Sequence, residues 1–316
     1  MSKRLTLTET GNMLAGADKI ALCCHVSPDG DTLGSALGLM HRLDAMGKTV
    51  TVFVDDDISK NFGFLPGIER CRRPVEGEKL AADLFVVIDA SSFDRVGIVG
   101  DVVKAPVLLN IDHHISNTEF ADYLYLDTQA AATGEIMCDL FLAMGWPYDD
   151  KSAVCFYTAI STDCGSFRYS NTTSKTMQRA AQLLDYGVHP SDISDALDMK
   201  SRATVELLSK VLPTLTFANG GRVAYITITN DLYNKDAQTD SFVSYPRYIE
   251  GVEVAIMFKA VEPCVTRVSM RSTKADVSRV ALAFGGGGHL RAAGCTINAT
   301  VEDARRQLLS ELSKVL

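Results

Sequence analysis

The sequence has no apolar run near the roughly 20 residues that a bilayer-spanning helix needs, so a helical membrane protein is not expected. The short basic start, Met-Ser-Lys-Arg, is not followed by an apolar core of signal-peptide length, and the expected location is the cytoplasm. The C-x-x-C pattern is also missing. The eight cysteines are Cys23, Cys24, Cys71, Cys138, Cys155, Cys164, Cys264 and Cys295, and most lie within apolar runs, which points to buried, reduced thiols. Adjacent Cys23 and Cys24 would face opposite sides of a strand and make a poor metal pair. A basic excess is absent too: 31 Lys and Arg stand against 39 Asp and Glu, a formal charge of −8. Proteins that grip long nucleic acids neutralise many phosphates with a basic stripe, and Arg70, Arg72 and Arg73 are too few to form one. Long DNA or RNA is therefore excluded as the main ligand. A small anion is not, because bound cations and a few arginines supply local positive charge. No internal repeat and no low-complexity tract interrupts the chain.

What is present fits a globular protein. The 316 residues are enough for two domains, and 47% are hydrophobic. In the first half, Lys19–Cys24, Thr49–Val54, Leu84–Ile88 and Val107–Ile111 read as strands, and Gly34–Met46 reads as a helix. Thr133–Met144, Ser152–Thr162 and Ser174–Tyr186 read as further helices, the last with caps at Thr172-Thr173-Ser174 and a stop at Gly187. Short apolar runs alternating with helices predict an α/β fold, a parallel sheet with helices on both faces. A boundary is expected between Gly187 and Pro213, giving domains at 1–188 and 214–316 joined by a helical linker at 189–213. In the second, Thr214–Ala218 and Arg222–Thr229 flank a turn at Asn219-Gly220-Gly221. Val252–Phe258 and Cys264–Met270 read as strands, and Val277–Phe284 and Val301–Val315 as helices, which makes a smaller α+β domain.

The polar residues concentrate just after the apolar strands, where open parallel sheets bind ligands. His25-Val-Ser-Pro-Asp29-Gly-Asp31 follows the first strand. Pro28 and Gly30 favour a tight loop that lets one imidazole and two carboxylates converge; a plain reading makes these aspartates helix caps. Mixed carboxylate and imidazole ligands suit Mn²⁺, and also Fe²⁺, Co²⁺ or Zn²⁺. Asp89 ends Val-Val-Ile-Asp, and alone it would be an ordinary turn residue. Asp112-His113-His114 ends the fourth strand; four of the six histidines, His25, His113, His114 and His289, fall in these motifs. Asp163, in Ser-Thr-Asp-Cys-Gly165, ends an apolar helix, where a carboxylate is unfavourable without a cation nearby. In the second half, Phe284-Gly-Gly-Gly-Gly288-His289 offers backbone N–H groups to an anion, and Arg271 sits on a nearby strand.

Five motifs in this order resemble the DHH family of phosphoesterases, in the subgroup with a C-terminal DHHA1 domain, and the resemblance spans nearly the whole chain. Asp-His-His-Ile-Ser-Asn, Thr-Asp-Cys-Gly-Ser-Phe-Arg-Tyr-Ser-Asn-Thr and Phe-Gly-Gly-Gly-Gly-His resemble its oligoribonuclease and pAp-phosphatase branch. Thr32 and Cys164 depart from residues often seen there, and neither is an expected ligand. The resemblance implies two divalent cations, foremost Mn²⁺, with Mg²⁺, Co²⁺ or Fe²⁺ as alternatives. One would be held by His25, Asp29 and Asp89, the other by Asp31, Asp89, His113 and Asp163, with Asp89 bridging. Asp112 would orient a ligand from behind, and His114 would face the scissile phosphate. Arg271, Gly286, Gly287, Gly288 and His289 would bind substrate from the second domain, with the active site in the cleft between the two. The implied reaction is hydrolysis of short RNA oligonucleotides to nucleoside 5′-monophosphates and removal of the 3′-phosphate of 3′-phosphoadenosine 5′-phosphate (pAp). Turnover of cyclic or linear dinucleotide messengers is an alternative, and a non-catalytic nucleotide-binding protein a second. A homodimer stays open.

Overall fold

The computed structural model describes residues 2–234 and 237–316. The chain divides into two compact units, Met1–Met199 and Lys200–Leu316. The strands of the first are β1 (Lys3–Arg4), β2 (Lys19–Cys23), β3 (Thr49–Phe53), β4 (Cys71–Arg72), β5 (Leu80–Ala81), β6 (Leu84–Ile88), β7 (Val103–Lys104), β8 (Leu108–Asp112) and β9 (Tyr123–Leu126). Its helices are α1 (Leu7–Gly16), α2 (Gly30–Ala45), α3 (Val99–Val102), α4 (Thr133–Met144), α5 (Asp150–Asp163), α6 (Ser174–Leu184) and α7 (Pro190–Asp198).

Seven strands form one sheet in the order β1-β9-β8-β6-β2-β3-β4, and every pair is parallel. The chain runs outward from β2 through β3 to β4, then returns to place β6 on the other side of β2. That reversal opens a crevice at the carboxyl ends of β2 and β6, the usual ligand site of such sheets. Every residue of β6 is buried, as expected for a parallel strand covered on both faces. One face packs against α1, α2, α4 and α5 through Leu14, Leu37, Met40, Ile136, Phe141 and Phe156. The other is covered by a 3₁₀ turn at Phe93–Val96, by α3 and by the β5–β7 pair, through Phe85, Val87, Val96, Val99 and Val102.

Glycines set how closely three of the helices meet. A Cβ on Gly34 of α2 would strike the Cys155 carbonyl of α5, and one on Gly134 of α4 would stand 2.5 Å from the Ala159 Cβ. Gly30 differs from the expected loop residue. The helix begins there, four residues earlier than the sequence suggests, because the Asp29 carboxylate accepts the amides of Asp31 and Thr32. A side chain on Gly30 would run into Thr162, so this glycine serves the approach of α2 to the end of α5.

The second unit contains α8 (Arg202–Val211), β10 (Thr216–Ala218), β11 (Val223–Ile228), α9 (Ser244–Arg247), β12 (Val254–Glu262), β13 (Val265–Ser272), α10 (Val277–Leu282), β14 (Gly287–His289), β15 (Ala292–Ile297) and α11 (Val301–Leu312). Its sheet has the order β10-β11-β12-β13-β15-β14, antiparallel except for β11 beside β12. The Asn219–Gly221 turn joins β10 to β11, as the sequence indicates. The glycine run does not form an open loop. It leads into the edge strand β14, which pairs with β15, an element the sequence reading did not resolve. Side chains on Gly286 or Gly288 would collide with β15, at the Gly294 and Ala292 carbonyls. No helix among the described residues is long and apolar enough to cross a membrane.

Candidate metal centre

Each expected ligand of the first unit sits at the end of an element. His25 follows β2, Asp29 caps α2, Asp31 lies in the first turn of α2, Asp89 follows β6, His113 and His114 follow β8, and Asp163 closes α5. Asp89 holds a φ of 61°, in the left-handed region that Asp tolerates better than most residues. That conformation turns the chain sharply off the strand, while its amide still donates to the Ile111 carbonyl at 2.9 Å.

These side chains converge into three overlapping groups whose potential ligand atoms lie within 4.8 Å of one another: His25, Asp29 and Asp89; Asp31, His113 and Asp163; and Asp89, His113 and His114. Asp89 divides its oxygens between neighbours. Its Oδ2 is 3.6 Å from His25 Nε2, and its Oδ1 is 3.6 Å from His113 Nε2 and 3.7 Å from His114 Nδ1. His25 Nε2 is also 3.6 Å from Asp29, and His113 Nε2 is 3.8 Å from both Asp31 and Asp163.

The electrostatics are those of a cluster short of positive charge. Burial, together with the carboxylates of Asp89, Asp163 and Asp29, pushes the Asp31 carboxyl well above its usual range. Burial also raises Asp163, to about 7; His113 pulls it back down, while Asp89 and Asp29 push it further up. Burial works against a charged His25, but hydrogen bonds to Asp29 and Asp89 outweigh it and raise the ring to about 10. Buried His114 is raised in the same way to about 9, chiefly by Asp112 and then by Asp89. Crowded carboxylates that hold protons so tightly are the signature of groups that would ionise with a cation among them.

Several partners behind these residues escaped the sequence reading. The amides of Thr133 and Gly134 donate to the two oxygens of Asp31 at 2.7 and 2.8 Å, and Ser35 Oγ adds a bond at 3.1 Å. Thr133 Oγ1 donates to Asp89 Oδ1 at 2.8 Å. A signal for this was available. The N-cap of α4 is Ala132, which has no side-chain acceptor, so the first amides of the helix need a carboxylate from elsewhere. Asp112, which the family resemblance already sets behind a ligand, is fully buried; it lies 2.6 Å from His114 Nδ1 and accepts from Asn117 Nδ2 at 2.6 Å. Arg95 places a guanidinium nitrogen 2.8 Å from His25 Nδ1, an atom also 2.8 Å from the Val26 carbonyl.

The expected substrate residues of the second unit also come together. Arg271 of β13 pairs in register with Ala292 of β15, which pairs in turn with His289 of β14. Directly paired residues share a sheet face, so Arg271 and His289 stand on one face two strands apart, about 10 Å by strand spacing. Gly286, Gly287 and Gly288 lead into that row, and Gly287 has open space where a Cβ would be.

Comparison with known proteins gives the same two-part pattern. Residues 19–160 match the DHH family, N-terminal domain, and residues 220–316 match the DHHA1 domain. The chain is 36% identical over 279 residues to the bifunctional oligoribonuclease and PAP phosphatase NrnA of Thermus thermophilus, covering 88% of this chain and 84% of that protein. It is 28% identical over 300 residues to the protein of the same name from Bacillus subtilis, covering 92% and 93%. Among solved structures, an exopolyphosphatase-related protein from Bacteroides fragilis superposes with a TM-score of 0.88 at 26% identity, covering 98% of this chain and 95% of that one. With both domain models matched in order and a relative of this identity aligned over most of its length, the chain belongs to the DHH family, in the group that carries a DHHA1 domain.

Proposed function

We propose that this chain is a metal-dependent phosphoesterase that hydrolyses short RNA oligonucleotides to nucleoside 5′-monophosphates and removes the 3′-phosphate of pAp. The names of its relatives support the substrate class. The observation that carries the chemistry is Asp89, whose two carboxylate oxygens face separate sets of nitrogen and oxygen donors. That division of its oxygens supports the reading in which Asp89 would be the ligand shared by two divalent cations. His25, Asp29 and Asp89 would hold one, and Asp31, Asp89, His113 and Asp163 the other. The all-oxygen-and-imidazole donor set suits Mn²⁺, with Mg²⁺, Co²⁺ or Fe²⁺ as substitutes. Such cations supply Lewis acidity, lowering the pKa of water and offsetting charge on phosphoryl oxygens.

The protein's own groups do the positioning. Thr133, Gly134 and Ser35 fix the Asp31 carboxylate, so its direction is set before a cation arrives. Asp112 accepts a hydrogen bond from His114 Nδ1–H, which orients the ring and leaves Nε2–H to donate to a phosphoryl oxygen. Arg271 and His289 contact the nucleotide from their shared sheet face. All eight cysteines are free thiols, in keeping with action in the reducing cytoplasm.

The test is product analysis in Mn²⁺ with a short RNA, pAp, a dinucleotide (pApA), a long RNA and cyclic di-AMP side by side. Conversion of the first three to monophosphates, with the last two spared, is the expected result. Preference for cyclic di-AMP would move the function to messenger turnover. Full activity of Asp89→Ala would sink the site.

A further inference from the structure

We propose that Arg168 binds the non-scissile phosphate of a nucleotide substrate, an assignment that rests on the phosphoesterase reading above. The segment after Asp163 is an unusual piece of backbone. Gly165, Ser166 and Phe167 have φ values of 58°, 55° and 64°, three consecutive left-handed residues, two of them with side chains. Each such non-glycine residue costs about 1–2 kcal/mol, and strain of this kind concentrates at ligand sites. The turn folds back on the end of α5. The amides of Arg168 and Tyr169 both donate to the Cys164 carbonyl at 3.1 Å, and Asn171 Nδ2 reaches the Asp163 carbonyl at 3.3 Å. Arg168 therefore starts within hydrogen-bond distance of the residue next to Asp163. Its Nε donates to the Gly165 carbonyl at 2.9 Å, which pins the exposed guanidinium at one nitrogen and leaves both terminal NH₂ groups presented together. That fork matches two oxygens of a phosphate.

Charge singles out this arginine. Arg95 is engaged by His25 and the Val26 carbonyl. Lys175 and Arg179 are paired with Asp139, and Lys175 with Glu135 as well. Among the described residues no carboxylate pairs with Arg168. Each phosphate of a substrate brings further negative charge to a site already lined by Asp29, Asp31, Asp89, Asp112 and Asp163. Arg168, exposed on the turn that folds back on the end of α5 just after Asp163, offers a cation to the second phosphate of such a substrate.

The experiment compares pAp with adenosine 3′-phosphate, which has the same scissile group and lacks the 5′-phosphate. Arg168→Gln is expected to raise KM for pAp by roughly 10–100-fold, with kcat and the KM for adenosine 3′-phosphate unchanged. Arg168→Lys should fall between, keeping charge and losing the fork. Mn²⁺ affinity by calorimetry should stay at the wild-type value. AMP, the product that keeps the 5′-phosphate, should bind the Mn²⁺-loaded Arg168→Gln protein at least about tenfold more weakly than wild type. Equal KM changes on both substrates, or equal AMP affinity, would overturn the assignment. Absence of turnover of both pAp and short RNA in the wild type would sink the phosphoesterase reading instead, and the AMP titration would still decide the role of Arg168.

Discussion

Replacing Gly34 with alanine drives a methyl group into the Cys155 carbonyl, a backbone atom that no rotamer change can remove. The new Cβ would also stand 3.0 Å from Ala159 Cβ and 3.1 Å from its amide nitrogen. Overpacking against a backbone atom that cannot move aside costs about 2–3 kcal/mol, the upper part of the usual range, and alanine returns about 1 kcal/mol of helix propensity. A net loss of about 1–2 kcal/mol lowers Tm by roughly 2–8 °C for a unit of this size. The damage reaches the metal centre, because Asp29 and Asp31 ride on the start of α2 and Asp163 on the end of α5. Gly134→Ala provides the control. Its closest obstacle is a side-chain methyl, Ala159 Cβ at 2.5 Å, with the Phe156 carbonyl at 3.2 Å and the Ile160 amide at 3.3 Å. Ala159→Gly should therefore rescue Gly134→Ala, with a coupling of about 0.5–3 kcal/mol in a double-mutant cycle, and should not rescue Gly34→Ala. Thermal unfolding and Mn²⁺ calorimetry on the single and double variants read out both effects. Equal rescue of the two glycine variants, or a Gly34→Ala protein as stable as wild type, refutes the packing argument.

Three further outcomes follow from the centre. In chelator, Tm should fall as pH rises from 6 to 9: His25 (about 10), His114 (about 9) and Asp163 (about 7) all bind protons more tightly folded than unfolded, so each loses stabilising weight on the way up. Excess Mn²⁺ should flatten or reverse that slope, since cations replace those protons; a Tm that climbs with pH in chelator would contradict the assignment of charge. Thr133→Val removes the hydroxyl donor to Asp89 at nearly constant volume, and should weaken Mn²⁺ binding by roughly 10-fold or more while the far-UV circular dichroism stays unchanged; wild-type affinity would show that the bond does not matter. Asp112→Asn should leave Mn²⁺ affinity near the wild-type value and lower kcat, because its bond orients His114; the reverse pattern, lost metal with intact kcat, would place Asp112 among the ligands.

Much of the first unit was legible in the sequence for a specific reason. Strands such as Leu84–Ile88 are covered on both faces, so they read as unbroken apolar runs, and the polar residue that ends each run is the one left at the crevice. His25, Asp89 and Asp112-His113-His114 all fall at such ends, although Asp89 taken singly reads as an ordinary turn residue and gains meaning only beside the other motifs. The start of α2 was misplaced because Pro28 and Gly30 carry turn signals, whereas Asp29 caps the helix at once. The glycine run shows the opposite problem. Its composition suggests an anion loop, yet Gly286 and Gly288 are glycines because β15 lies against them, and a neighbouring strand leaves no local trace.

The sequence by itself determined which residue types end the strands of the first unit, the two-part architecture and the family, because these depend on local apolar patterning and on motifs in order. Only the tertiary structure decided how the charges are shared. It placed the uncapped start of α4 on Asp31, turned the two oxygens of Asp89 toward different partners and set Asp112 behind His114. Those pairings join residues far apart in the chain, such as Asp31 and Thr133. They arise from strand order and from the close helix approach that Gly34 and Gly134 permit, neither of which any local stretch of sequence encodes.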